Sequence, residues 1–256
     1  PATQIIAAYA EGLPQGRELL EIASEASLKK PVVIWKSGFS RAGRQAALSH
    51  SGSITGNKGA WEGAARSAGI FSARGFEDLL DLMAVFSSPH FPKGKKVGIM
   101  AEAGGGGISA ADACEEVGLE VRPFSDRLRS ELNLFLRDYL PPFSGTVNPL
   151  DLVWLPSDSA LTICTRCIEM IAPEVDALIM MSYQPFVMPE NREAYVVALK
   201  RLRDHFNLPI YVVPPYPGRA AEAMKAFTRA GLPSFPSFER AARAAAAVSY
   251  WQSSKG

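Results

Sequence analysis

The feature that most constrains this chain is an alternation running almost from end to end, in which apolar runs of strand length are followed by amphipathic stretches of helix length. Parallel strands need a crossover long enough to hold a helix, and strands covered on both faces read as continuous Val, Ile and Leu. The alternation therefore predicts parallel sheets with helices on either side. TQIIAAYAE (3–11) is expected as a strand, RELLEIASEASLK (17–29) as a helix and VVIWKS (32–37) as the next strand. A loop carrying His50 follows, then helices at about 58–68 and 76–86 with a short strand near 70–73. SSPHFPKGKK (87–96), with two prolines, a glycine and a lysine cluster, has the composition of a linker.

Beyond it, KVGIMAE (96–102) is expected as a strand, AGGGG (103–107) as a turn and 108–117 as a helix. Further strands are expected at 119–123, 150–154, 177–182 and 210–214, and an alanine-rich helix begins at Phe238. A chain of 256 residues can bury two cores. The expected architecture is α/β, with two flavodoxin-like or Rossmann-like three-layer domains at 1–90 and 91–256.

Lys and Arg number 27 against 26 Asp and Glu, so the charge balance calls for neither nucleic acid nor an anionic membrane as partner. Small-molecule chemistry or protein contact is expected instead. Three cysteines, Cys114, Cys164 and Cys167, are too few for the disulfide framework of a secreted domain. No run approaches the roughly 20 apolar residues of a membrane span, and the first residues show no signal pattern. A cytoplasmic location is expected. Pro1 is compatible with a processed start or with a chain cut from something longer.

In open parallel sheets ligands collect beyond the carboxyl ends of the strands. Glu11 ends the first strand and His50 follows the second, so a carboxylate and an imidazole reach the same sheet edge. A carboxylate accepting one imidazole N–H fixes the tautomer and leaves the other nitrogen nucleophilic. The alternatives are a solvated strand end for Glu11 and an exposed loop histidine for His50. Gly38, Gly43, Gly52 and Gly56 bracket the histidine, and so few Cβ atoms let the segment move or approach a ligand closely.

Ala103 to Gly107 lies between a strand and a helix, where bare N–H groups and the helix dipole meet an anion such as phosphate. A tight turn without ligand is the alternative. Gly105, Gly107 and Ala110 also fit a loose dinucleotide pattern, but no acidic residue closes the next strand. Cys164 and Cys167 form a C-x-x-C with no second pair, which suits two buried thiols. GSITGNK (52–58) lacks the glycine before lysine and the Ser or Thr after it that a P-loop needs. Ser49 and Ser51 flank His50, yet G-x-S-x-G is absent.

Taken together, KPVVIWKSGFSRAGRQAALSHSGSITG, YAEGL, VGIMAEAGGGGISAADACEEVGLEV and VNPLDL resemble the nucleoside-diphosphate-forming acyl-CoA synthetases, relatives of succinyl-CoA synthetase and the ADP-forming acetyl-CoA synthetases. The resemblance runs from about residue 1 to at least 155. It implies that His50 is a phosphohistidine on a mobile loop, contacted by Glu11, and that Gly104, Gly105, Gly106, Gly107 and the helix after Ser109 form one of two helix N-termini that hold the phosphate. It implies coenzyme A and ATP or ADP as substrates, with Mg2+ accompanying the nucleotide and not held by this chain. It also implies a carboxylic acid substrate, an oligomer, and partner regions: a CoA-binding domain and the front of the histidine domain ahead of Thr3, and an ATP-grasp domain or subunit. The first domain is accordingly expected to be incomplete at its N-terminus, and the chain to be inactive alone. A non-catalytic regulatory module, of the kind fused to protein acetyltransferases, is the alternative.

Overall fold

The computed structural model describes residues 2–52, 55–141, 145–216, 218 and 220–255. They form two compact units that divide between Ser87 and Ser88.

The first unit runs β1 (Ile6–Ala10), α1 (Gly16–Ser27), β2 (Val32–Lys36), α2 (Arg41–Ser51), α3 (Lys58–Ser67), β3 (Ile70–Ala73) and α4 (Phe76–Phe86). Its parallel sheet has the order β1-β2-β3, with Ile6 opposite Val32 and Val32 opposite Ile70. β2 takes the centre because VVIWK can be buried on both faces, whereas IAAYA offers three alanines and a tyrosine. Val32 and Ile34 face a core with Ala23 of α1, Trp61 and Ala65 of α3, and Ile70. Val33 points to the opposite face, where α4 packs with Leu82, Val85 and Phe86 buried. Each such burial contributes roughly 1.5 to 3 kcal/mol. β1 is left as an exposed edge.

The second unit runs β4 (Val97–Ala101), α5 (Gly104–Glu116), α6 (Asp126–Leu136), β5 (Leu150–Asp151), α7 (Ala160–Ile171), β6 (Ala177–Met181), α8 (Gln184–Val187), α9 (Arg192–Phe206), β7 (Ile210–Val213), α10 (Ala221–Arg229) and α11 (Phe238–Ser253). The parallel order is β5-β4-β6-β7, so β5 is added on one side of β4 while β6 and β7 lie on the other. Met100, Leu178, Met180, Ile210 and Val212 face the core shared with α6, α7, α9 and α10. Ile99, Ile179 and Tyr211 alternate to the other face. There α5 and α11 pack together through buried Ala110, Ala241, Ala244 and Ala245, whose small side chains let the helices approach closely.

Several elements differ from the sequence-based expectation. The segment 119–123 forms only a single bridge, Lys96 to Glu120, in place of a strand. Asn148 occupies the pairing positions further on: its amide accepts from Ile99 N–H at 2.9 Å and donates to Val97 O at 2.7 Å and Arg122 O at 3.0 Å. β5 ends at Asp151, short of Trp154, because Val153 turns into the left-handed region at φ 49° and its N–H donates to Asp151 Oδ1 at 2.9 Å. β1 is correspondingly shorter than the stretch 3–11.

Candidate functional site

The register of β1 against β2 assembles the groups around His50. Tyr9 and Glu11 stand two residues apart and share a strand face. Ala10 lies opposite Lys36, and Ser37 N–H donates to Ala10 O at 2.9 Å, which brings Ser37 beside Tyr9. Ser37 Oγ donates to Tyr9 Oη at 3.0 Å, and Tyr9 Oη donates to Glu11 Oε1 at 3.1 Å. Glu11 Oε2 accepts from Ser51 Oγ at 2.6 Å. Below, the buried Lys36 ammonium donates to the carbonyls of Glu11 and Ser37 and lies 4.7 Å from the Phe39 ring centroid. Burial pulls the Lys36 pKa down, and the charge of Glu11 opposes that shift.

His50 Nδ1 lies 3.5 Å from Glu11 Oε1, with the histidine side chain 79% exposed and the glutamate side chain 20% exposed. The Ser51 hydroxyl holds the Glu11 carboxyl below its usual range, followed by the Tyr9 hydroxyl, and His50 adds to the shift. The carboxylate is thus an ionised, oriented acceptor facing Nδ1.

His50 is not a loop residue, as the sequence suggests, but sits in the last turn of α2. Ser40 caps that helix by accepting from Gly43 N–H at 3.0 Å, and RAGRQAAL carries it forward until Gly52, at φ 66°, ends it. The glycines mislead because Gly43 lies within the helix. α2 buries only Ala47, so the helix that carries the imidazole is lightly anchored. Ser53 and Ile54 of the SHSGSITG stretch lie outside the described residues.

In the second unit the glycine run is the first turn of α5 and not a turn preceding it. Gly106 and Gly107 N–H groups donate to Ala103 O at 3.0 and 3.2 Å, while the Gly104 and Gly105 N–H groups come before the first intrahelical bond. The first turn holds no acidic residue and no side chain caps it. Close packing accounts for two of the glycines: a Cβ on Gly106 would lie 2.9 Å from the Met181 methyl, and one on Gly107 would lie 3.2 Å from Pro149 Cβ. Ser109 is exposed one turn further along the helix.

Sequence reasoning missed the acids beside this turn. Glu102 is buried at the end of β4, where it accepts from the Ser182 hydroxyl and the Tyr183 N–H. Burial pushes its pKa up, against those two hydrogen bonds. Asp151 lies close enough to α5 that a Cβ on Gly104 would be 3.0 Å from its Oδ2. Period-2 alternation gives no sign of Glu102, because the preceding strand is apolar throughout. The three thiols are buried; burial pushes Cys114 and Cys167 up to about 12 and raises Cys164 as well. They are unreactive packing groups. No group of three His, Cys, Asp or Glu able to hold a metal occurs among the described residues, and no described helix is long and apolar enough to cross a membrane.

Residues 1–86 match the family model described as a succinyl-CoA ligase like flavodoxin domain, and residues 97–205 match the Ligase-CoA domain. The alpha subunits of acetate–CoA ligase (ADP-forming) I and II of Pyrococcus furiosus are 31% and 30% identical over 249 and 247 residues, which is 97% and 95% of this chain but 53% and 52% of theirs. A solved dinucleotide-forming acetyl-coenzyme A synthetase 1 of Ca. Korarchaeum cryptofilum, in complex with phosphate and ADP, superposes with a TM-score of 0.79 at 27% identity, covering all of this chain and 54% of that one. The chain thus spans about half the length of the relatives it matches. The fold, the order of the two domains and the extent of the matches agree, and the chain belongs to the family of nucleoside-diphosphate-forming acyl-CoA synthetases.

Proposed function

We propose that this chain is the phosphoryl-relay part of an ADP-forming acyl-CoA synthetase, which interconverts acid, CoA and ATP with acyl-CoA, ADP and phosphate. The observation that carries this is the pairing of an exposed imidazole with an oriented carboxylate, Nδ1 to Oε1 at 3.5 Å. In the acyl-CoA-consuming direction, phosphate displaces CoA from the thioester to give an acyl phosphate. The Nε2 lone pair of His50 attacks its phosphorus, the bond between phosphorus and the carboxylate oxygen breaks, and the free acid leaves. The Nδ1 proton stays on the ring, where Glu11 offsets the developing positive charge. The phosphoryl group then passes to ADP, and Nε2 regains its lone pair.

Electrostatics favours release of the phosphorylated segment from Glu11. Before transfer, the Nδ1–H of the ring faces the Glu11 carboxylate; afterwards, a phosphoryl group of about two negative charges is repelled by that carboxylate and by the negative end of the α2 dipole. The phosphorylated segment is therefore biased to leave, and α2, buried only through Ala47, offers little resistance. Gly104 to Gly107 at the start of α5 form a receiving site for such an anion. A helix N-terminus contributes roughly 0.3 to 2 kcal/mol, so direct bonds from the N–H groups of Gly104 and Gly105 have to supply the remainder. Coenzyme A, the nucleotide and its Mg2+ are held on other domains or subunits of the enzyme.

The test incubates the complete enzyme, with its nucleotide-charging and CoA-binding domains, with ATP labelled on its γ-phosphate. Acid-labile, base-stable label on this chain, lost in His50→Asn, supports the relay, and label retained in that variant overturns it. Absence of label on an otherwise active enzyme favours the non-catalytic module.

A further inference from the structure

The carboxyl edge of the second unit carries an aromatic cluster that the phosphoryl relay does not use. Trp154 follows the left-handed turn at Val153, Tyr183 follows β6, and Tyr216 follows β7. Trp154 and Tyr183 stack with ring centroids 6.0 Å apart at 20°, and Tyr216 meets Tyr183 edge-on at 5.8 Å. Stacked aromatic side chains normally bury their faces, yet Trp154 is 80% exposed. Its turn is held by the Asp151 bond to Val153 N–H, in a backbone region that a β-branched residue seldom enters. Such local strain persists where surrounding structure sustains it and is frequent at ligand clamps.

Beside the aromatics opens a cavity of about 520 Å³ bordered by Phe186, Val187, Tyr216 and Gly218. That size lies within the range of pockets that enclose small organic ligands. Tyr183 also ties the cluster to the start of α5: its N–H donates to Glu102, two residues before Gly104. Tyr183 and the start of α5 therefore lie on the same sheet edge, where β4 and β6 are side by side and the connections diverge.

We propose that Trp154, Tyr183 and Tyr216 form an acyl-binding shelf, over the cavity at Phe186 and Val187, for aryl and aryl-alkyl carboxylic acids. The inference rests on the acyl-phosphate reading above. In an acyl phosphate the acyl carbonyl is one oxygen away from phosphorus, so a phosphoryl group at the α5 N-terminus places the acyl substituent in the space next to it. A methyl group would leave a cavity of this size wet. A dicarboxylate would bring a second anion to a border where none of the described residues is cationic. A planar ring matches both the open Trp154 face and the apolar side chains of Phe186 and Val187. Burial and the adjacent Tyr216 hydroxyl push the Tyr183 phenol further from ionisation, which keeps the shelf uncharged.

The shelf can be tested apart from turnover. Phenylacetate, acetate, ADP and CoA are each titrated into the full chain while tryptophan emission is followed. The expected result is saturable quenching by phenylacetate, absent with acetate and absent in Trp154→Leu. Quenching by ADP or CoA without phenylacetate, or none by any of them, overturns the proposal. In the complete enzyme, Trp154→Ala and Tyr216→Ala should each lower the ratio of kcat/KM for phenylacetate to that for acetate at least tenfold, and an unaltered ratio overturns it. The two readings fail separately. Quenching on a chain whose His50 is never phosphorylated keeps the shelf and rejects the relay, whereas phosphorylated His50 with no response to phenylacetate does the reverse.

Discussion

The two nitrogens of the ring at position 50 have different surroundings, and the proposed chemistry depends on that difference. Nδ1 faces a carboxylate whose oxygens already accept from Ser51 and Tyr9, while the side chain is otherwise open to solvent. Glu11→Gln removes the charge and retains the shape. A hydrogen bond to a charged group is worth about 1.5 to 3 kcal/mol when sheltered, and less at a site this open. Phosphorylation in that variant should be slowed roughly tenfold with the circular dichroism spectrum unaltered, and an unaltered rate removes the orienting role. The histidine and glutamate were legible because strand ends in a parallel sheet converge on one edge. Ser37, Ser51 and Tyr9 were not, since their contribution depends on the β1–β2 register and on the helical turn that places Ser51 above the carboxylate.

The elements show where local propensity and tertiary packing diverge. Intrinsic propensity places the start of α5 after the glycines, since each costs about 1 kcal/mol relative to alanine inside a helix. The helix nevertheless begins at Gly104, because Gly106 and Gly107 must approach Met181 and Pro149 closely. A run of Gly and Ser likewise suggests a loop around His50, while the Ser40 cap makes a helix of it. Gly38 has a steric role: it adopts φ 80°, and a Cβ there would lie 2.5 Å from Thr55 Cγ2. Gly38→Ala should lower stability by about 1 to 2 kcal/mol in urea unfolding.

Glu102 gives a pH signature. Its folded pKa is raised by burial, so its stabilising contribution is complete below the ordinary carboxylate range and is lost as pH rises through the folded value. Glu102→Gln should flatten that decline, measured as the urea midpoint between pH 4 and 9. A decline of equal size in the variant would assign it to another group.

For the whole molecule, alternation was enough to read two parallel-sheet units, because β2, β4, β6 and β7 are apolar runs that burial dictates. The edges were less legible: the bridge at Glu120 and the short β5 are decided by Asn148 and by the turn at Val153, neither of which alters hydrophobic periodicity. All three thiols lie in the second unit and are buried, so a thiol reagent should label them only on unfolding, in step with loss of tryptophan or far-ultraviolet signal. Labelling of the native chain at comparable rates would contradict the packing around α5 and α7. The central claim concerns one atom, and resolving the phosphohistidine isomer addresses it directly. Charged enzyme is digested in base, residue 50 is located by mass spectrometry, and the isomer is assigned by 31P NMR against standards. Phosphate on Nε2 of His50 is the predicted result; phosphate on Nδ1, or on any other residue, would contradict the account.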